Sequence, residues 1–182
     1  QKQFDEQYDA PVTAAQAKLS QARFAAYGNS VYPDATFTLR ISYGKVQSWV
    51  ERGQQVSTRT TLAGAFDRAT GAQPFKLASK FVANKPRIDL STTYDFVTTN
   101  DIIGGNSGSP VIDKNGTVIG AAFDGNIHSL GGDYGYDPTL NRTVVVSTAA
   151  VAEALKHIYP DPALLAEALK SRLGREAVQA AR

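Results

Sequence analysis

Ser107 lies in the stretch Asn100-Asp101-Ile102-Ile103-Gly104-Gly105-Asn106-Ser107-Gly108-Ser109-Pro110-Val111. A serine at a tight glycine-flanked turn can project its hydroxyl into a cleft. The same glycines let backbone N–H groups converge on one point. Nucleophilic acyl transfer needs both features, a hydroxyl and an oxyanion site, and here one loop offers them. The plain alternative is a Gly/Asn/Ser turn between two strands.

The flanking elements must position that loop. Leu90 to Thr99, rich in threonine and aromatics, reads as the strand that delivers the chain to it. Pro110 to Asp113 is a short strand, Lys114-Asn115-Gly116 a hairpin turn and Thr117 to Phe123 the return strand. Asp124 to Asn141 follows as a polar, Gly-rich loop too long for a mere connector, and Thr143 to Ser147 is a further apolar strand. Upstream, Thr36 to Tyr43 alternates, with Phe37, Leu39, Ile41 and Tyr43 on one face, as a half-buried strand does. Residues 45–50 could extend it, and Arg52 to Gln55 is a turn. Residues 58–71 admit a short helix, as do residues 73–85, ended by Pro86.

Helices close both ends. Asp9 as cap and Pro11 in the first turn open a helix that stops at Gly28-Asn29. Thr148 to Tyr159 presents Val151, Leu155 and Ile158 on one face, and Asp161-Pro162 opens Ala163 to Leu173. Hairpin-linked strands with long loops favour a small antiparallel barrel over a crossover sheet.

Composition narrows the class. The 182 residues are 42% hydrophobic and 20% charged, with net charge +2. That balance gives no argument for nucleic acid or a membrane surface. No run approaches the roughly 18 apolar residues of a membrane span. Cysteine is absent, which excludes disulfides and thiolate metal sites. Methionine is absent too, and Gln1-Lys2-Gln3-Phe4 does not resemble a signal peptide, so the chain reads as a piece of a longer protein.

Gly105 to Val111 resembles the nucleophile loop of chymotrypsin-fold serine peptidases. Tyr32 to Arg40, Thr99-Asn100-Asp101, Ala122-Phe123-Asp124-Gly125-Asn126 and Asp137 to Arg142 extend the resemblance to one branch, the dipeptidyl-peptidase 7/dipeptidyl-peptidase 11 family of bacterial serine exopeptidases. It covers roughly residues 30–158. The fold implied is mainly β with flanking helices: the second antiparallel β-barrel of a chymotrypsin-like double barrel, in an incomplete chain. Residues 1–28 would be the tail of an upstream helical domain, 29–147 the barrel carrying the nucleophile loop and 148–182 the closing helices.

The resemblance implies that Ser107 is the nucleophile and that the N–H groups of Gly105 and Ser107 form the oxyanion hole. Asp124 would hold the free α-amino group of a peptide, selecting dipeptide release by charge pairing. At position 125 an arginine goes with acidic and a glycine with apolar side chains at the cleavage position, so Gly125 implies apolar preference; the plain alternative is a bulge glycine. Asp101, six residues before Ser107, is expected to bond turn backbone rather than recognise a basic side chain. No metal or cofactor is implied. The resemblance further implies peptide substrates with a free N-terminus, a periplasmic or secreted enzyme and often a homodimer.

A serine peptidase also needs a histidine base and an aspartate to orient it. Of the two histidines, His128 reads as a loop-surface residue and His157 as one favouring a helix C-terminus. Neither matches the family's base, so the base and its aspartate are expected in a missing upstream part. Two other readings stay open: a glutamyl-endopeptidase-like protease, or a non-catalytic β-barrel binding module that keeps a vestigial serine loop.

Overall fold

A computed structural model of the chain describes residues 2–28, 41–132 and 135–170. It divides into two compact units, Gln1–Ile41 and Ser42–Arg182. In the first, Lys2–Phe4, a π turn at Asp5–Asp9 and α1, Ala10–Tyr27, run on without a break. The helix thus begins upstream of the Asp9 cap expected from sequence. Asp9 has helical dihedrals and makes no capping bond. Pro11 offers no N–H to the preceding turn, and the wider winding lies just ahead of it. Gly28 does stop the helix, at φ 56° with its N–H on Phe24 O. Phe4, Tyr8, Val12, Leu19, Phe24 and Tyr27 are all exposed on it.

The alternating stretch 36–43 lies mostly outside the described residues, as does the Tyr32 to Arg40 motif. Its described end is not a strand: Ile41 and Tyr43 are 83% and 91% exposed. The chain is held there by polar contacts instead. Ser42 Oγ donates to Asp101 O (2.9 Å), Asn100 Nδ2 donates to Ser42 O (2.8 Å), and a single bridge pairs Val46 with Thr98.

In the second unit, β1 (Trp49–Glu51) and β2 (Gln54–Val56) form a hairpin about Arg52-Gly53. A five-stranded antiparallel sheet follows, from β3 (Arg59–Thr61), β4 (Thr93–Thr98), β5 (Pro110–Ile112), β6 (Val118–Gly125) and β7 (Thr143–Ser147). Its order is β3-β4-β7-β6-β5. Among the described residues β3 and β5 are its edges, so the pairings do not close the barrel expected from sequence. The Lys114-Asn115-Gly116 hairpin is present, braced by Asp113, whose Oδ1 accepts from Asn115 N (2.8 Å) and Thr117 N (2.9 Å).

Short helices cover the sheet's flank. These are α2 (Leu62–Asp67), α3 (Ser79–Asn84) with a 3₁₀ turn Lys85–Arg87, α4 (Thr148–Glu153) with a π turn Ala154–Ile158, and α5 (Pro162–Lys170). Pro86 sits inside the 3₁₀ turn rather than beyond the helix end. Asp161 caps α5, accepting from Leu164 N at 2.9 Å. Val151 faces solvent, contrary to expectation. Ala150 and Glu153 on α4 and Ile158 at the end of the π turn are the buried positions, Ile158 as expected. Leu62, Ile88 and Ile158 form the core beside the sheet, with Phe66, Phe81, Leu90 and Tyr94 against them. No helix among the described residues is long and apolar enough to cross a membrane.

Gly120 marks the tightest layer. A Cβ there would lie 2.5 Å from Val145 Cγ1, 2.5 Å from Val146 O and 3.2 Å from Phe96 Cε1. The carbonyl belongs to the β6–β7 ladder and cannot swing away. Gly120→Ala is therefore expected to cost about 1–3 kcal/mol in denaturant unfolding. A loss below about 0.5 kcal/mol, the usual range for surface changes, would show that β6 and β7 separate readily there.

Candidate active site

The Ser107 loop is stitched to β6 by main-chain bonds. Gly108 N donates to Ala122 O (2.7 Å) and Ala122 N donates to Ser109 O (2.9 Å), which carries the β5–β6 pairing back into the loop. Asn106 closes the turn ahead of the serine. Its N–H donates to Ile103 O (3.2 Å), and its Oδ1 accepts from Ile103 N (2.9 Å). Gly105 and Gly108 have φ of 93° and 86°, in the left-handed region that a side chain would strain. The N–H groups of Asn106, Gly108 and Ser109 are all bonded within the fold, whereas those of Gly105 and Ser107 donate to no described residue. Ser107 itself is exposed, and its Oγ donates weakly to Phe123 O at 3.4 Å.

Phe123 is the extra residue where the β6–β7 register shifts; Ala122 faces Val145 and Asp124 faces Val144. Asp124 and Gly125 thus end a strand rather than begin a loop. Asp124 is exposed, with its Oδ1 accepting from Gly125 N at 2.8 Å. Gly125 is in regular pairing with Thr143, so it is not the bulge residue. Its need for glycine is steric: an added Cβ would stand 2.6 Å from Ser129 Cβ and 2.9 Å from Ser129 Oγ. Ser129 comes from the 3₁₀ turn Ile127–Gly131, which the sequence did not single out.

Asn126 and Arg142 lock this corner. Asn126 N donates to Arg142 O (2.8 Å), Arg142 N donates to Asn126 Oδ1 (3.0 Å), and Asn126 Nδ2 donates to Leu140 O (2.7 Å). The Arg142 side chain is 1% exposed. Its Nε donates to Gln47 O, Nη1 to Pro138 O and Asn141 O, and Nη2 to Ser48 O and Thr139 O, at 2.6–3.2 Å. Asp137 shapes the same turn by accepting from Thr139 Oγ1 (2.6 Å) and Thr139 N (2.8 Å), and these bonds hold its carboxyl below the usual range.

His128 is no free surface residue. Its Nε2 lies 2.6 Å from Oε2 of Glu51 on β1, which also accepts from Trp49 Nε1 at 3.1 Å. His157 Nε2 sits 3.6 Å from Glu153 Oε1, four residues back on its own helix. Neither histidine meets Ser107. Asp101 does not brace the turn as expected: its Oδ2 is buried without a hydrogen-bond partner among the described residues, and Asn106 performs the bracing. Glu51, Ser129 and the Arg142 guanidinium were illegible at the sequence level, since their partners lie far away or in an unforeseen turn.

Ser107 thus stands exposed on a left-handed glycine loop, with the N–H groups of Gly105 and Ser107 unpaired among the described residues. The chain belongs to the peptidase S46 family, whose model matches residues 1–170. It is 43% identical over 126 residues to Dipeptidyl-peptidase 7 of Phocaeicola vulgatus, covering 63% of this chain and 17% of that protein. It is 34% identical over 151 residues to the Asp/Glu-specific dipeptidyl-peptidase of Flavobacterium psychrophilum, covering 74% of this chain and 20% of that protein. Among solved structures, Porphyromonas endodontalis DPP11 in alternate conformation matches at TM-score 0.72 and 26% identity, over 87% of this chain and 26% of that one. The chain thus spans about a fifth of the length of the curated relatives it matches.

Two outcomes follow from the corner's geometry. Gly125→Ala alone should destabilise by about 1–3 kcal/mol, as overpacking does, and Ser129→Gly should relieve most of that in a double-mutant cycle. Additive losses would show that Ser129 is not the obstacle. The hydrogen bonds from His128 and then Trp49 hold the Glu51 carboxyl below its ordinary 4.5. A lowered value stabilises the fold above the ordinary range and is lost as pH falls through the folded value. Trp49, the one tryptophan of these residues, should change its emission as pH drops below 4.5. Glu51→Gln should abolish that step; an identical titration in the variant would disconnect it from Glu51.

Proposed function

We propose that this chain is the C-terminal part of a serine dipeptidyl-peptidase that releases dipeptides from the free N-terminus of peptides. One observation carries the reading. The Ser107 hydroxyl rests on the carbonyl of Phe123, and Phe123 directly precedes Asp124. One strand end therefore brings a nucleophile and an exposed carboxylate together, and the carboxylate can hold an α-ammonium group while the hydroxyl attacks two residues along. Ser107 is the nucleophile, and the unpaired N–H groups of Gly105 and Ser107 receive the oxyanion. The names of the relatives agree with dipeptide release.

Gly125 sets an apolar preference at the cleavage position. Some relatives are named Asp/Glu-specific and none is named for apolar residues among those compared, so the support is local. Ser129 occupies the space that a side chain at position 125 would enter. The nearby Arg142 guanidinium has all five N–H donors on backbone carbonyls and offers none to an acidic side chain. The histidine base and its aspartate come from an upstream part of the same protein, which also covers the exposed apolar residues of α1. In that whole enzyme, residues 1–28 end a helical domain, 29–147 belong to the second barrel and 148–182 close it. The enzyme is periplasmic or secreted and dimeric.

The test is made on the chain extended to the length of its relatives. Free-amine dipeptidyl substrates ending in leucine or phenylalanine should be cleaved, N-acetylated ones should not, and those ending in aspartate should be poor. Ser107→Ala should lower kcat by about 10⁶-fold. Asp124→Asn should lower kcat/KM roughly 10- to 100-fold, the loss of one charge-assisted contact, mostly through KM. Equal cleavage of blocked and free substrates would sink the exopeptidase reading, and preference for aspartate would sink the role given to Gly125.

A further inference from the structure

The Arg142 guanidinium is buried, yet all five of its hydrogen bonds run to backbone carbonyls. These carbonyls belong to two segments that β7, the strand starting just after Arg142, does not pair: residues 47–48, just before β1, and the turn 138–141. The first segment leads through β1 to Glu51, which grips His128. His128 lies two residues after Asn126, and Asn126 is bonded back to the Arg142 main chain in both directions. The contacts form a closed ring: Arg142, residues 47–51, His128, Asn126 and Arg142 again. Asp124 and Gly125 are the last strand residues to enter it.

We propose that Arg142 is a positioning residue that fixes the end of β6, and through it the carboxylate of Asp124 and the floor at Gly125, from behind. Its link to substrate rests on the function proposed above; its link to the strand end does not. Arginine suits the task because a planar fork of five donors reaches two separate segments at once, which the single ammonium of lysine cannot do. Burial adds rigidity. A guanidinium removed from water keeps its carbonyl partners, because any partner given up would leave a polar group unpaired.

The experiment compares Arg142→Lys and Arg142→Met with the wild-type protein extended to the length of its relatives. Hydrogen exchange should quicken in peptides covering 47–51 and 123–129, while the β4–β7 pairing at 93–98 and 143–147 stays protected. Exchange that rises throughout the sheet, or nowhere, overturns the proposal. KM for free-amine dipeptidyl substrates should rise about 10- to 100-fold, the scale of a misplacement near 1 Å. Labelling of Ser107 by a fluorophosphonate should stay within about twofold of wild type, since the nucleophile loop is held by other bonds. An equal loss of labelling and of kcat would make Arg142 a general structural residue and overturn the proposal. If the wild-type protein labels but cleaves no free-amine substrate, the proposed function falls, and the exchange pattern still decides the positioning role.

Discussion

The reciprocal bonds between the Ser107 loop and Ala122 are the contact on which the rest of this site depends. Gly108 N and Ser109 O, one residue apart, both engage the main chain of Ala122. That pair turns a glycine-rich loop, the most entropically costly kind to order, into an extension of a sheet edge. Because the partner is β6, the loop is held at Ala122, while the strand end beyond it is held by its own bonds to Arg142. The exposed hydroxyl of Ser107 and the carboxylate of Asp124 then lie along one strand, linked through the Ser107 bond to Phe123 O.

β6 is suited to this because its other edge is even more firmly held. It pairs with β7, which also pairs with β4, so β6 is backed by the interior of the sheet. Gly120 lets Phe96 and Val145 close over the strand. At its far end the pleat breaks at Phe123, and the added residue turns the last two positions out of the regular ladder's alternation. Beyond it the strand end is anchored by hydrogen bonding rather than apolar packing. Asn126, Arg142 and the Glu51–His128 pair tie it down with polar groups that satisfy one another. An apolar core there would be less directional.

Parts of this were legible in the sequence. The hairpin at Lys114-Asn115-Gly116, the strand Thr143–Ser147 and the Asp161-Pro162 helix start were all found where local chemistry put them. Those signals are short-range, a turn or a cap within a few residues. Elsewhere local signals failed. Asp9 looked like a cap, but the helix ran on through it. Val151 looked inward-facing at the spacing of an α-helix but faces solvent, while Ile158, expected on the same face, is buried together with Ala150 and Glu153. The strand β6 was expected to stop at Phe123, because Asp and Gly are poor strand residues; pairing with β7 carried it through Gly125.

By itself the sequence determined the glycine-flanked Ser107 loop, its bounding strands and the family, because serine, glycine and their spacing are local chemistry. Only the tertiary structure decided that His128 is bound to Glu51, that Ser129 enforces glycine at 125 and that Arg142 is buried among five carbonyls. Each of the three depends on a partner brought near by folding: 77 residues away for His128 and up to 95 for Arg142. For Ser129, the partner is set by a turn whose shape no local pattern announced. Spacing along the chain encodes what neighbouring residues can do. Contacts across the fold depend on where strands and turns finally meet, and that is settled by the packing of the whole unit.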